Sequence, residues 1–169
     1  MIISSCEKDD IKNGIYIDLR DGQKYKVITI GEQTWFADNF NYHTNGSWIY
    51  DNDANNEAQY GRLYTWAAAM NREESSETNP SGVQGVCPTG WHLPSDDEWK
   101  ELEMYLGMPE LQVHKTEWRG TNEGLMLRER GNSHWNGPRW YISGTNESGF
   151  TALPGSSRHY NGSFRNLRE

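Results

Sequence analysis

Residues 15–37 read IYIDLRDGQKYKVITIGEQTWFA, and this stretch decides the fold. Two segments within it, 15–19 and 24–30, are rich in β-branched and aromatic residues, the composition of strands. Between them lies Arg20-Asp21-Gly22-Gln23. An Asp-Gly pair at such a joint signals a hairpin, because a tight primed turn needs positive φ. Gly31-Glu32 supplies a second turn, and 33–37 reads as a third short strand. The chain therefore opens on a β-hairpin and continues in strands.

Working outward, residues 38–59 form a polar, Asn-rich loop carrying Trp48 and Tyr50. Tyr60 to Met70 reads as a short helix, with Leu63, Trp66, Ala67 and Met70 at i, i+3, i+4 and i+7 on one face. Residues 71–83 are a charged, small-residue loop. Ser95-Asp96-Asp97-Glu98 is a capping box, in which the Ser95 side chain accepts from the Glu98 amide and Glu98 answers back to Ser95. Asp96 and Asp97 sit at the positive end of the helix dipole. Trp99, Leu102 and Leu106 continue the inner face, and Gly107 is a natural stop, so a helix is expected over 96–106. Residues 124–128 fit either a short helix or a strand. Residues 131–149 read as a long structured loop, and 150–153 as a strand stopped by Pro154-Gly155. No internal repeat and no linker divides the chain. Strands first, helices in the middle and a strand later make one α+β domain with two short helices and long structured loops.

The composition narrows the function. The chain has 169 residues, 34% of them hydrophobic by type, yet it carries 8 Trp, 9 Tyr and 4 Phe. Disordered chains are poor in aromatics, so these rings imply a packed core. A net charge of −8 with no basic cluster argues against nucleic-acid binding. No apolar run approaches the ~18–20 residues of a membrane span.

The N-terminus reads as an address. Ile3-Ser4-Ser5-Cys6 resembles a bacterial lipobox, whose Cys is diacylated and becomes the new N-terminus, and two acyl chains anchor stably. Glu7-Lys8-Asp9-Asp10 resembles the Lys-acidic-acidic export signal of Bacteroidetes-type surface lipoproteins. The expectation is lipidation at Cys6, with residues 1–13 as leader remnant and tether and 14–169 as the domain. The resemblance places the protein at the outer membrane, facing the cell exterior. Cys87 is the one other cysteine of the chain.

Six ordered blocks resemble the Fibrobacter succinogenes major paralogous domain over about residues 14–166. The first runs from Asp18 to Trp35, followed by Asn39-Phe40-Asn41. Tyr60-Gly61-Arg62-Leu63-Tyr64-Thr65-Trp66 is the next, and Cys87-Pro88-Thr89-Gly90-Trp91-His92-Leu93-Pro94-Ser95 with Glu98-Trp99 the third. Trp118-Arg119-Gly120-Thr121, His134-Trp135 and the stretch from Thr145 to Gly155 complete the set. The third block also resembles one in formylglycine-generating enzymes, which implies a C-type-lectin-like fold. By the same comparison the family continues roughly 40–50 residues further, with more strands and a late Cys. That Cys is the implied partner of Cys87. The resemblance thus leads to the expectation of an incomplete C-terminus and an exposed sheet edge.

Candidate sites are few. Asp51, Asp53 and Asn55 offer oxygen ligands at alternate positions, as Ca²⁺ loops do, but the Gly at the sixth position is missing and the twelfth is Arg62. Such loops also arise from turn chemistry alone. No other cofactor is implied. Trp118, Trp135, Trp140, Tyr141 and Tyr160 lie in loops beside polar residues, where they suit a sugar or peptide platform or else fill the core. Trp35, Trp66, Trp91 and Trp99 are expected in the core. The five histidines lack zinc spacing, no two carboxylates are paired for acid/base work, and there is no nucleophile elbow or phosphate loop. Catalysis is not expected. The expectation is a surface lipoprotein that binds a glycan, a peptide or an outer-membrane protein partner. The alternative is a structural or adhesive surface domain with no small-molecule site.

Overall fold

A computed structural model describes residues 3–4, 11–135 and 142–165. The fold is mixed α+β, built on a six-stranded antiparallel sheet. Its strands are β1 (Ile3–Ser4), β2 (Ile11–Lys12), β3 (Ile15–Ile17), β4 (Lys24–Ile30), β5 (Gln33–Phe36) and β8 (Trp91–His92). The spatial order is β2-β3-β4-β5-β1-β8. Two of these strands, β1 and β2, lie within the segment read as leader and tether; Cys6 itself lies outside the described residues.

The opening hairpin forms as its residues require. Asp18 N–H donates to Gln23 O at 2.8 Å and Gly22 N–H to Asp18 O at 2.7 Å, with Gly22 at φ 77°. Asp18 is fully buried and holds Arg20 at 2.6 Å; Arg20 reaches on to the carbonyls of Val86 and Cys87. The hairpin is thereby tied to the middle of the chain.

Alternation along β4 and β5 gives the sheet two covered faces. Tyr25, Val27 and Phe36 point to one side, where they meet Tyr16, Phe40, Val86, Cys87 and Trp91. Ile28, Ile30 and Trp35 point to the other, against Leu102, Phe150, Trp99 and Leu106. Period-two alternation sends neighbours to opposite faces, and here both faces are apolar. The rings do much of the packing. Phe36 lies 4.8 Å from Tyr25, stacked, and 4.0 Å from Trp91 between centroids.

The second face is closed by α3 (Asp96–Tyr105), whose capping box forms in both directions and which gives way at Leu106, before Gly107 at φ 106°. The helix expected over 96–106 is therefore present. The one expected over 60–70 is not: α1 (Ala54–Tyr60) ends at Gly61, β7 (Arg62–Tyr64) pairs with β6 (Ser47–Ile49), and α2 (Trp66–Met70) starts afresh. Gly61 sits at φ 63°, and a Cβ there would lie 2.4 Å from the Phe40 carbonyl oxygen, so close backbone approach breaks the helix. The stretch 38–59 is not all loop, since it holds β6 and α1. Trp66, expected in the core, is 71% exposed, because restarting the helix at Thr65 turns it outward. Trp35 and Trp91 are buried and Trp99 partly so.

Beyond α3, short helices α4 (Glu110–Val113) and α5 (Glu123–Leu127) bring the described helices to five, where two were expected. The ambiguous stretch 124–128 resolves as helix. The strand expected over 150–153 is reduced to a single parallel bridge, Ala152 to Arg128. A small hairpin of β9 (Ser157–Arg158) and β10 (Phe164–Arg165) follows.

Candidate functional site

Two adjoining clefts open where the start of β3 and the end of β5, on either side of β4, meet the 146–153 loop. The larger, about 420 Å³, is bounded by Asn13 and Gly14, by β4 and by Gly149. The smaller, about 210 Å³, reaches down to Phe36 and Phe150 and is walled by Asn39 and Gln59. Lys26, Ala37, Asp38 and Thr151 line both.

Local chemistry fixes this lip. Lys26 shares a face of β4 with Ile28 and Ile30 but lies beyond the second cluster and is exposed. Asp38 stands just past the end of β5, where its Oδ2 accepts the Lys26 amide at 2.7 Å and so extends the ladder by a side chain. Thr151 lies at φ 58°, a conformation rare for a β-branched residue. It is held there by Asn146, itself at φ 53°: Thr151 N–H donates to Asn146 Oδ1 at 2.9 Å, and Asn146 Nδ2 donates to Thr151 Oγ1 at 3.0 Å. Phe150, buried against Trp35 and Trp99, anchors the turn from below. Backbone strain of this kind costs ~1–3 kcal/mol and concentrates at ligand sites. The lip therefore presents an ammonium, a carboxylate and a hydroxyl, with the buried rings of Phe36 and Phe150 beneath the smaller cleft.

Gln59 connects the smaller cleft to a carboxylate–imidazole pair. Its amide meets His134 Nε2, while His134 Nδ1 lies 2.6 Å from Glu129 Oε2 and the His134 amide donates to Glu129 Oε1 at 2.8 Å. This fixes the ring orientation of His134. A separate hollow of about 180 Å³ lies beside α2, with Trp66 on its rim, Met70, Val83, Leu93 and Pro94 as walls, and Ser75, Ser76 and Ser81 as polar groups.

The residues singled out from the sequence fall elsewhere and apart. Trp118 and Tyr160 are 87% and 94% exposed. Tyr160 leans on His159 at 4.1 Å. Trp135 is half-buried under the Arg128 guanidinium, 4.4 Å from its ring centroid. Trp140 and Tyr141 lie outside the described residues. Asp53 caps α1, accepting from the amide and side chain of Asn55, and Asp51 lies in the short 3-10 turn before it. Asp53 thus serves as a helix cap. Among the described residues no group of three or more His, Cys, Asp or Glu is placed to hold a metal ion. Cys87 is fully buried and forms no disulfide among the described residues. Burial pushes its thiol up to about 12.

Sequence reading missed Lys26, Asp38, Gln59 and Thr151 as site residues. Their signals were faint: an Asn-x₄-Thr pair around a Gly, and an Asp directly after a strand.

The chain matches the model of the family described as the Fibrobacter succinogenes major domain over residues 28–169. No curated protein and no solved structure matches it.

Proposed function

We propose that this chain, which belongs to the Fibrobacter succinogenes major domain family, is the binding or accessory module of a surface lipoprotein. The ligand class is a glycan or a short polar peptide. The observation that carries this reading is the double cleft lined by Lys26, Asp38 and Thr151. Its larger part falls within the ~300–1,000 Å³ of small-molecule sites. Its donors and acceptors of both signs suit a molecule carrying several polar groups. The mixed α+β order, short antiparallel sheet and long loops also support a C-type-lectin-like arrangement. Cys6 carries the lipid in this reading, and the domain faces outward from the outer membrane.

The test is binding of the soluble domain to glycan and peptide arrays. A saturable ligand is expected, with affinity reduced at least about tenfold in Asp38→Ala and in Lys26→Ala. Binding that survives both changes would sink the assignment of the cleft. Metabolic labelling with an alkynyl fatty acid tests the anchor separately: label should enter the wild-type chain and be absent from Cys6→Ser. A second reading, docking to an outer-membrane protein, is favoured by the protruding Trp66, Trp118 and Tyr160. Co-purification from membranes that is lost in Trp66→Ala, without array binding, would select it.

A further inference from the structure

Gln59 stands where the smaller cleft meets the Glu129–His134 pair. It is the next-to-last residue of α1, and its main-chain carbonyl accepts from Asn39 Nδ2 at 3.4 Å. Two residues of the cleft wall are thereby tied together. The Gln59 side-chain nitrogen meets His134 Nε2, and its Oε1 has no hydrogen bond among the described residues.

The placement of protons follows from the partners. A carboxylate only accepts, so the bond between Glu129 Oε2 and His134 Nδ1, at 2.6 Å, puts a proton on Nδ1. In the neutral ring Nε2 is then an acceptor, and the Gln59 amide nitrogen donates to it. The Gln59 oxygen is left for whatever enters the cleft. In the charged ring both nitrogens are donors. Two N–H groups cannot form one hydrogen bond, so the amide must turn over, give its oxygen to Nε2 and leave its nitrogen for the cleft. The last side-chain torsion of Gln is broad and roughly two-fold, so this turn needs no movement of α1. Around the ring, Glu129 is buried and also accepts the His134 amide at 2.8 Å. Tyr60 of α1 meets the ring edge-on, 6.3 Å between centroids. Arg128 lies over Trp135 and donates to the Ile142 carbonyl and to Asn132. Lys26 and Asp38 are the charged groups of the cleft itself.

We infer that Gln59 is a specificity-determining residue of the smaller cleft, and that Glu129 and His134 are positioning residues that set its hydrogen-bonding sense. With the imidazole neutral, Gln59 offers an acceptor and selects a ligand group that donates, an amide N–H or an ammonium. With the imidazole charged, Gln59 offers N–H and selects a group that only accepts, a carbonyl or a carboxylate. Imidazoles change charge between about pH 5 and 8, so the preference reverses within that range. The selectivity rests on the binding reading of the cleft; the orientation of the amide rests on the geometry alone.

The experiment has one arm without a ligand and one with. In the ¹⁵N-labelled full chain carrying Cys6→Ser, a nitrogen–nitrogen coupling across the hydrogen bond should join Gln59 Nε2 to His134 Nε2 at pH 8. It should vanish at pH 5, where the amide oxygen faces the ring. On the glycan and peptide arrays, binding to carboxylate-bearing members relative to amine- and amide-bearing ones should rise roughly three- to tenfold from pH 8 to pH 5, the worth of one hydrogen bond. That rise should be lost in His134→Gln, which keeps Lys26 and Asp38 and so removes their titration as the cause. No coupling at pH 8, coupling that persists at pH 5, or an equal rise in His134→Gln would overturn the inference. Should His134→Gln not fold, Gln59→Met, at an exposed position of α1, serves with the same criterion. Coupling that appears and vanishes as expected, with no saturable binder on either array, would sink the binding reading and the selectivity and leave the amide orientation standing.

Discussion

Glu98 ties several segments of the fold to one buried residue. Its carboxylate accepts from the Ser81 amide at 3.1 Å and the Ser95 amide at 2.9 Å, and faces His92 at 2.7 Å, all away from water. Burial alone would raise its pKa. The hydrogen bonds from His92, Ser95 and Ser81 outweigh that and hold it below the usual range. A carboxyl depressed in the folded state stabilises it above the unfolded pKa of ~4.3, and that contribution is lost as pH falls through the lower folded value. Urea midpoints should therefore decline as pH is lowered below about 5, and Glu98→Gln should show less of that decline. Glu98→Ala should cost about 3–5 kcal/mol at neutral pH, because it strips a buried imidazole and two amides of their partner. Cys87 gives a second test at this scale. With its thiol buried and its pKa raised, it should react with a disulfide reagent at pH 8 far more slowly in folded Cys6→Ser protein than in urea. Equal rates would contradict the burial.

Among the elements, α3 was readable in advance because its signals are local. Ser95 and Glu98 satisfy each other's amides within one turn, and nothing distant is needed. Ser95→Ala should cost about 1 kcal/mol, or roughly 2–4 °C in melting temperature. Lys100→Ala, which removes ion pairs to the exposed Asp96 and Asp97, should leave the melting temperature nearly unchanged. The misread helix over 60–70 makes the opposite point. Leu63, Trp66, Ala67 and Met70 have helical spacing, yet Arg62–Tyr64 is a strand. The pairing of Leu63 with Trp48 and the approach of Gly61 to Phe40 are contacts between segments far apart in sequence, and they overrode local periodicity.

At the scale of the whole molecule, the two apolar clusters share one sheet, so stability should be lost in a single step. Phe36 sits at the centre of the first cluster, where it packs against Tyr16, Tyr25, Phe40 and Trp91. Phe36→Ala should cost about 3–5 kcal/mol in urea unfolding, with tryptophan fluorescence and circular dichroism still moving together. Separate transitions for the two signals would show that the clusters are independent. The same packing governs the candidate site. The cleft exists because Phe150 docks on Trp35 and lifts Thr151 to the lip beside Lys26 and Asp38, which come from a region more than a hundred positions earlier.

Sequence alone determined the hairpin from 15 to 30, the capped helix after Ser95, the α+β class and the family blocks. Turns, caps and alternation act between near neighbours, and their energies are set before the chain folds. Tertiary structure alone decided which rings are buried, that Trp66 faces solvent, that β1 stands between β5 and β8, and that Lys26, Asp38 and Thr151 meet. Those outcomes depend on competition among distant surfaces for the same buried space. The aromatic-rich composition announced a core without assigning its members, because any of the rings could satisfy the hydrophobic demand and packing geometry selected among them.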